Sequence, residues 1–124
     1  MCIRDRARTD LMAVTQIGMG VTQAVVTVSS GQTCYIKSIM IHNRSNSAIQ
    51  NANIYVVPNS GGSAGTISTS NVIARIGVGT DDTFFFEPAY PIVIRNTGDT
   101  VQVGNEGITA AESINVYVTG DIDL

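Results

Sequence analysis

Few residues in this chain have the chemistry for catalysis or ligation, and the sequence scatters them. There is one histidine, His42, and there are two cysteines, Cys2 and Cys34. A nucleophilic triad needs a base beside its nucleophile and an acid that orients the base. No motif marks such partners for His42, so its expected role is a strand histidine hydrogen-bonded to a neighbour or facing solvent. Zinc needs several Cys and His ligands, which one His and one well-placed Cys do not supply. Cys34 lies within an apolar run, where a thiol acts as a small buried hydrophobe, and a Cys2–Cys34 bridge is not expected. Asp81, Asp82, Asp99, Asp121 and Asp123 could gather around calcium, as loop carboxylates do in some sandwiches. They also stand where turns use carboxylates to bind their own backbone, which is their expected role. The expectation is therefore no catalytic residue, no metal and no cofactor.

Binding signals are equally sparse. Gly61-Gly62-Ser63-Ala64-Gly65 lacks the Lys-Ser/Thr ending and the following helix of a phosphate-cradling loop. Net charge is −3 and the isoelectric point about 4.8. Lys37, Arg44, Arg75 and Arg95 stand singly, so the clustered cations that release counterions from nucleic acid are missing. No apolar stretch reaches the roughly 20 residues of a membrane span. The opening residues are charged and polar, so no secretory signal is expected. Asn43-Arg44-Ser45 fits a glycosylation sequon, which matters only in a eukaryotic secretory setting. Aromatic residues are the remaining candidates. An extended Phe84-Phe85-Phe86 puts Phe84 and Phe86 on one face and Phe85 on the other. Phe84 and Phe86 are expected in the core. Phe85 and Tyr90 are expected to face a partner, with Gly61 and Gly62 as further contact candidates on a long loop.

The elements that must position these residues read as strands. Hydrophobic residues make up 44% of the chain, mostly Val, Ile and Ala, with 6% aromatics and 12 glycines. That β-branched bias suits a pleated, half-buried surface. Strand-like runs cover 13–17, 21–28, 34–43, 52–57, 72–76, 83–87, 92–95, 100–103 and 113–119, with turn residues between them. In the run 34–43 both alternating phases are apolar. Ile39, Ile41 and Tyr35 are expected inward, with Ile36 and Met40 in the other phase, so the strand is either buried on two sides or carries a bulge near Lys37-Ser38 that resets the face. Val101 and Val103, and then Ile114, Val116 and Val118, alternate as inward faces. Residues 59–70 show no periodicity and predict a long loop, functional or mobile. The fold class expected is an all-β antiparallel sandwich of about eight strands, a jelly roll or a related Greek key.

Charged residues form 14% of the chain, against roughly 25% in an average globular protein. Lys37 is its single lysine, so neither solubility nor edge protection rests on charge in the usual way. A partner that covers surface would explain that deficit; the alternative is a Thr/Ser/Asn-rich surface that is soluble alone. Residues 1–11 stand apart in composition, and Met1-Cys2-Ile3-Arg4-Asp5-Arg6 resembles translated adapter read-through at the ends of environmental sequence assemblies. The division expected is 1–11 as a disordered or artefactual segment and 12–124 as one domain.

The order of features resembles a family of small tailed-phage virion proteins, found as capsid decoration or tail-associated β-sandwiches. Its marks here are Tyr35-Ile36-Lys37-Ser38-Ile39-Met40-Ile41-His42-Asn43, Asn53 to Val57, and Pro91-Ile92-Val93-Ile94. Gly98-Asp99-Thr100-Val101-Gln102-Val103 and Ile114 to Gly120 complete the order, so the likeness spans residues 13–121. The resemblance implies a non-enzymatic virion component, made in the host cytoplasm, that contacts a major capsid or tail protein and forms homo-oligomers. It carries over no catalytic residue. The alternative reading is a carbohydrate- or receptor-binding sandwich using Phe85, Tyr90 and the 59–70 loop; a third is a bacterial surface or pilus-like subunit, against which the charged, polar opening residues weigh.

Overall fold

In a computed structural model of the chain, residues 8–45, 49–106 and 113–123 are described. The strands are β1 (Arg8–Ile17), β2 (Thr22–Thr27), β3 (Thr33–Asn43), β4 (Gln50–Val57), β5 (Val72–Val78), β6 (Thr83–Phe86), β7 (Ile92–Ile94), β8 (Thr100–Asn105) and β9 (Ile114–Asp123). They form two antiparallel sheets. The larger runs β1-β9-β3-β6, with β7 also on β3, and the smaller runs β2-β8-β4-β5.

The ninth strand is half of a broken one. Phe86 of β6 stands opposite Ile39, and Ile92 of β7 opposite Ile36, so both continue one edge of β3. Pro88 and Pro91, which have no N–H for a ladder, occupy the break. Counted as one, β6 and β7 bring the total to eight strands, four in each sheet. Successive strands cross between sheets except at the β4–β5 hairpin, and that path is the jelly roll.

Alternation explains the core. Val101 and Val103 from β8, Ile114, Val116 and Val118 from β9, and Ala52 and Ile54 from β4 are wholly buried between the sheets. Phe84 and Phe86 pack against this core. In β3 the pairing with β9 slips between Ile36 and Ser38, so Lys37 is the bulged residue. Below the bulge Cys34 and Ile36 point inward; above it Ile39, Ile41 and Asn43 do. The bulge, the second of the two readings the apolar phases allow, lies at the expected place, but it exchanges two residues. Ile36 takes the inward place expected for Tyr35, because the phase below the bulge is the opposite of that above. Opposite the bulge, a Cβ on Gly120 would fall on the Tyr35 carbonyl oxygen, so β9 has no room for a side chain there.

β1 begins earlier than the periodicity predicts. Arg8 to Leu11 pair with Asp123 to Gly120, because β9 runs on to Asp123 and offers them a ladder. Part of the segment set apart by composition is thus a strand, not a disordered stretch; residues 1–7, with Cys2, lie outside the described residues. No helix among the described residues is long and apolar enough to cross a membrane.

Candidate functional site

The outer face of the larger sheet is ordered in rows. Register aligns Val14 of β1 with Tyr117 of β9, Tyr117 with Met40 of β3, and Met40 with Phe85 of β6. All four point away from the core, so one apolar row crosses the full width of the sheet. Val14 is 70% exposed and Phe85 59%, with Tyr117 and Met40 half-buried between them. Met12, 68% exposed, extends the apolar area along β1.

Polar rows frame it. On one side Gln16, Asn115, His42 and Thr83 stand in line. His42 Nδ1 lies 2.9 Å from Thr83 Oγ1, the neighbour bond its strand position predicts. On the other side Ser38 Oγ and Thr119 Oγ1 share a hydrogen bond of 2.7 Å. Beyond them the bulge turns Lys37 onto this face, where its Nζ meets Asp121 Oδ2 at 2.8 Å. A half-exposed pair of this kind adds little stability, but it neutralises charge beside the row. An open hollow of about 290 Å³ lies between Met12, Lys37, Tyr117 and Thr119.

The smaller sheet's outer face is the opposite case. Its outward residues Asn53, Tyr55, Val57, Thr100 and Gln102 are buried. The segment between β4 and β5 covers Tyr55, Val57 and Gln102: Gln102 Nε2 donates to the Gly65 carbonyl at 3.2 Å, Gly65 lies against Val57, and Ile67, Ser68 and Thr69 face Tyr55 across a groove of about 460 Å³. At the groove's mouth Glu106 Oε2 accepts from Asn53 Nδ2 at 2.6 Å and meets Arg75 at 3.5 Å. Residues 59–70 are therefore not a free loop. Asp99 holds the near end, its Oδ1 accepting from Asn59 N at 2.8 Å and from Asn59 Nδ2 at 3.0 Å. A 3-10 turn at Thr69–Asn71 holds the far end, with Ser68 N bonded to Asn71 Oδ1 at 3.1 Å.

No known protein family and no curated protein matches the sequence. Among solved structures, a Bacillus endospore appendage protein, from a family of disulfide-linked pili, is 17% identical. That match covers 99% of this chain and 95% of the other, with a TM-score of 0.48. Infectious bursal disease virus, Gx strain, follows at 13% identity, with 97% and 32% covered and a TM-score of 0.44. Its T13 particle gives 9% identity, 94% and 35% covered and a TM-score of 0.42. The chain thus spans about a third of each viral protein's length. No residue here takes a role from these likenesses.

The four residues singled out in the sequence do not converge. Phe85 ends the apolar row. Tyr90, 85% exposed, sits in the break between β6 and β7 on the same edge. Gly61 and Gly62 lie elsewhere, in the segment that covers the smaller sheet; Gly98, at φ +91°, comes so close that a Cβ on it would stand 2.8 Å from the Gly62 carbonyl. A sugar-stacking platform of Phe85, Tyr90 and residues 59–70 is not assembled. Two of the carboxylates serve turns: Asp99 also accepts from Asn96 N at 3.2 Å, and Asp82 Oδ1 accepts from Thr83 N at 2.9 Å, whereas Asp121 and Asp123 stand in β9, not in a turn. Burial alone would push the Asp99 carboxyl up, but hydrogen bonds from the Asn59 side chain and from the Asn59, Asn96 and Arg95 backbone hold it below its ordinary value. Asn43 is fully buried, donating to the Val78 and Gly79 carbonyls, so the sequon offers no accessible amide. Cys34 is buried, and burial pushes its thiol up, leaving it protonated and inert.

Met12, Val14, Met40 and Tyr117 escape a strand-by-strand reading, since each occupies the solvent phase of its own strand. The signal was there: four strands carry a large apolar residue in that phase. Only register turns four single exposures into one row.

Proposed function

We propose that the protein is a non-enzymatic building block of a phage virion, a capsid decoration or tail accessory protein, that docks through the outer face of its larger sheet. The observation that carries this is the apolar row Val14–Tyr117–Met40–Phe85 on a charge-poor chain. Large apolar residues left in register on a solvent face cost solubility, and contact with a partner removes that cost. Phe85 is the anchor: an exposed aromatic at the row's end buries more area than any neighbour. Lys37 and Asp121, already paired, and the Gln16–Thr83 row form the polar rim around that apolar centre. The phage assignment is supported by the order of sequence features over residues 13–121.

Co-sedimentation of the purified protein with empty capsids and with tails of the phage that encodes it tests this. Binding to one of them is expected, with loss on Phe85→Ser or Met40→Ser while far-UV circular dichroism is unchanged. A folded protein that sediments with neither overturns the reading.

A further inference from the structure

The jelly roll leaves four sheet edges, and three carry features that discourage a further strand. The β6/β7 edge is broken and holds Pro88 and Pro91. The β2 edge is bulged at Val25, between Ala24 and Val26 in its pairing with β8. The β5 edge is irregular where Ile54 and Tyr55 pair with Ala74 and Val72, and it presents Arg75, whose side chain is 70% exposed. Breaks, prolines, bulges and edge charges are the usual guards against strand addition.

β1 has no break, proline or bulge, and its two charged residues, Arg8 and Asp10, are confined to its first three positions. Its ten residues pair with β9 in unbroken register from Arg8 to Ile17, with no proline, no lysine and no bulge. Its outward residues Met12 and Val14 are two of the most exposed apolar side chains in the described residues. An edge this long and flat is a template for another strand.

We propose that β1 is a self-association edge, on which two copies of this chain pair β1 against β1, antiparallel about a two-fold axis, joining their larger sheets into one. The occupant follows from the other edges. A second copy offers just one edge without a break, proline or bulge among its described residues, and that edge is β1. A strand pairing with itself is antiparallel and isologous, the commonest symmetry of small oligomers.

Side-chain alternation also fixes the register. Residues facing each other across an antiparallel pair point to the same side of the sheet, so the axis must pass through a residue. An axis at Met12 sets Val14 against Asp10, and one at Val14 sets Met12 against Gln16. An axis at Ala13 sets Met12 against Val14 of the partner subunit, twice over, and Asp10 against Gln16 of the partner subunit. That register pairs apolar with apolar and separates like charges, and it carries the apolar area of one copy onto the next. It does not require the outer face to bind anything else.

The test is light scattering with size exclusion on the full chain across a wide concentration range. A dimer is expected. Val14→Lys and Met12→Lys each place an ammonium at the junction without touching the core, and each should weaken the dimer by about tenfold or more with unchanged circular dichroism. Met12→Lys combined with Val14→Glu sets the new ammonium opposite the new carboxylate of the other copy and should restore the dimer. Phe85→Lys, on the far edge of the same face, should leave it intact. A monomer at every concentration, or a dimer indifferent to both single lysines, overturns the proposal. Failure of the double variant to recover overturns the Ala13 register. Loss of the dimer in Phe85→Lys places the contact on the face and overturns the edge, while the docking reading above stands.

Discussion

The two sheets of this jelly roll treat their outer faces in opposite ways. The smaller sheet puts Asn53, Tyr55, Thr100 and Gln102 outward and then buries them, Tyr55 and Gln102 under the chain's own residues 59–70 and Asn53 beside Arg75 and Glu106. The larger sheet puts Val14, Met40, Tyr117 and Phe85 outward and covers them with nothing among the described residues. Polar residues are thus enclosed and apolar ones exposed, the reverse of what hydrophobicity alone would arrange. The enclosed polar groups are tolerable because the cover brings them hydrogen-bond partners, as Gly65 does for Gln102. The exposed apolar groups make sense if their cover comes from outside the chain. One face is internal structure, and the other is the face proposed to dock.

The sharpest way to break that contrast is to truncate a ring on each face. Tyr55 is only 9% exposed, packed between Gly104 and the covering segment. Tyr55→Ala should cost about 3 kcal/mol, read as a shift in urea midpoint, because it opens a cavity beneath residues 59–70. Little change would mean that the segment rests on the sheet without sealing it, and the two faces would then be alike.

A smaller effect tests how the cover is held. Asp99→Asn keeps an acceptor oxygen toward Asn59 but removes the charge, and should cost about 1 kcal/mol at neutral pH. Since the folded state lowers the Asp99 pKa, its ionised carboxylate contributes stability above the unfolded value of about 4, and that contribution is lost as pH falls through the lower folded value. Wild type minus Asp99→Asn should therefore show a stability difference that is flat near neutrality and shrinks below about pH 4. A difference independent of pH would show that the anchor works without its charge. Faster proteolysis within residues 59–70 in Asp99→Ala would confirm what that anchor restrains.

Strand count, the Lys37 bulge and the division of the phenylalanines were legible because each depends on local alternation. Phe84 and Phe86 had to leave Phe85 on the far side, and two apolar phases in one strand left either burial on both sides or an extra residue near Lys37-Ser38, which is where the bulge stands. The covering segment was not legible. Residues 59–70 look like linker because their order comes from Asp99, Gln102 and the outer face of β4, contacts remote in sequence. Nor was the start of β1, since Arg8 to Asp10 are charged and polar and are strand only because β9 extends alongside them. The apolar row lay between these cases: every member was visible, but their alignment needed the order β1-β9-β3-β6, which no single strand encodes.

The smallest stability effect belongs to the residue with the largest proposed role. Phe85→Ser removes a ring that is 59% exposed at a sheet edge, where truncation leaves no cavity, and should change unfolding free energy by about 0.5 kcal/mol or less. Its cross-strand contact with Met40 is the main loss. The same substitution should abolish co-sedimentation with capsid or tail. Set beside Tyr55→Ala, it separates the two faces by opposite outcomes: one ring matters to the fold and not to assembly, the other to assembly and not to the fold. A Phe85→Ser variant that lost 2 kcal/mol or more would mean that the ring serves the core after all, and that the row is an extension of the sandwich's own packing instead of a surface waiting for a partner.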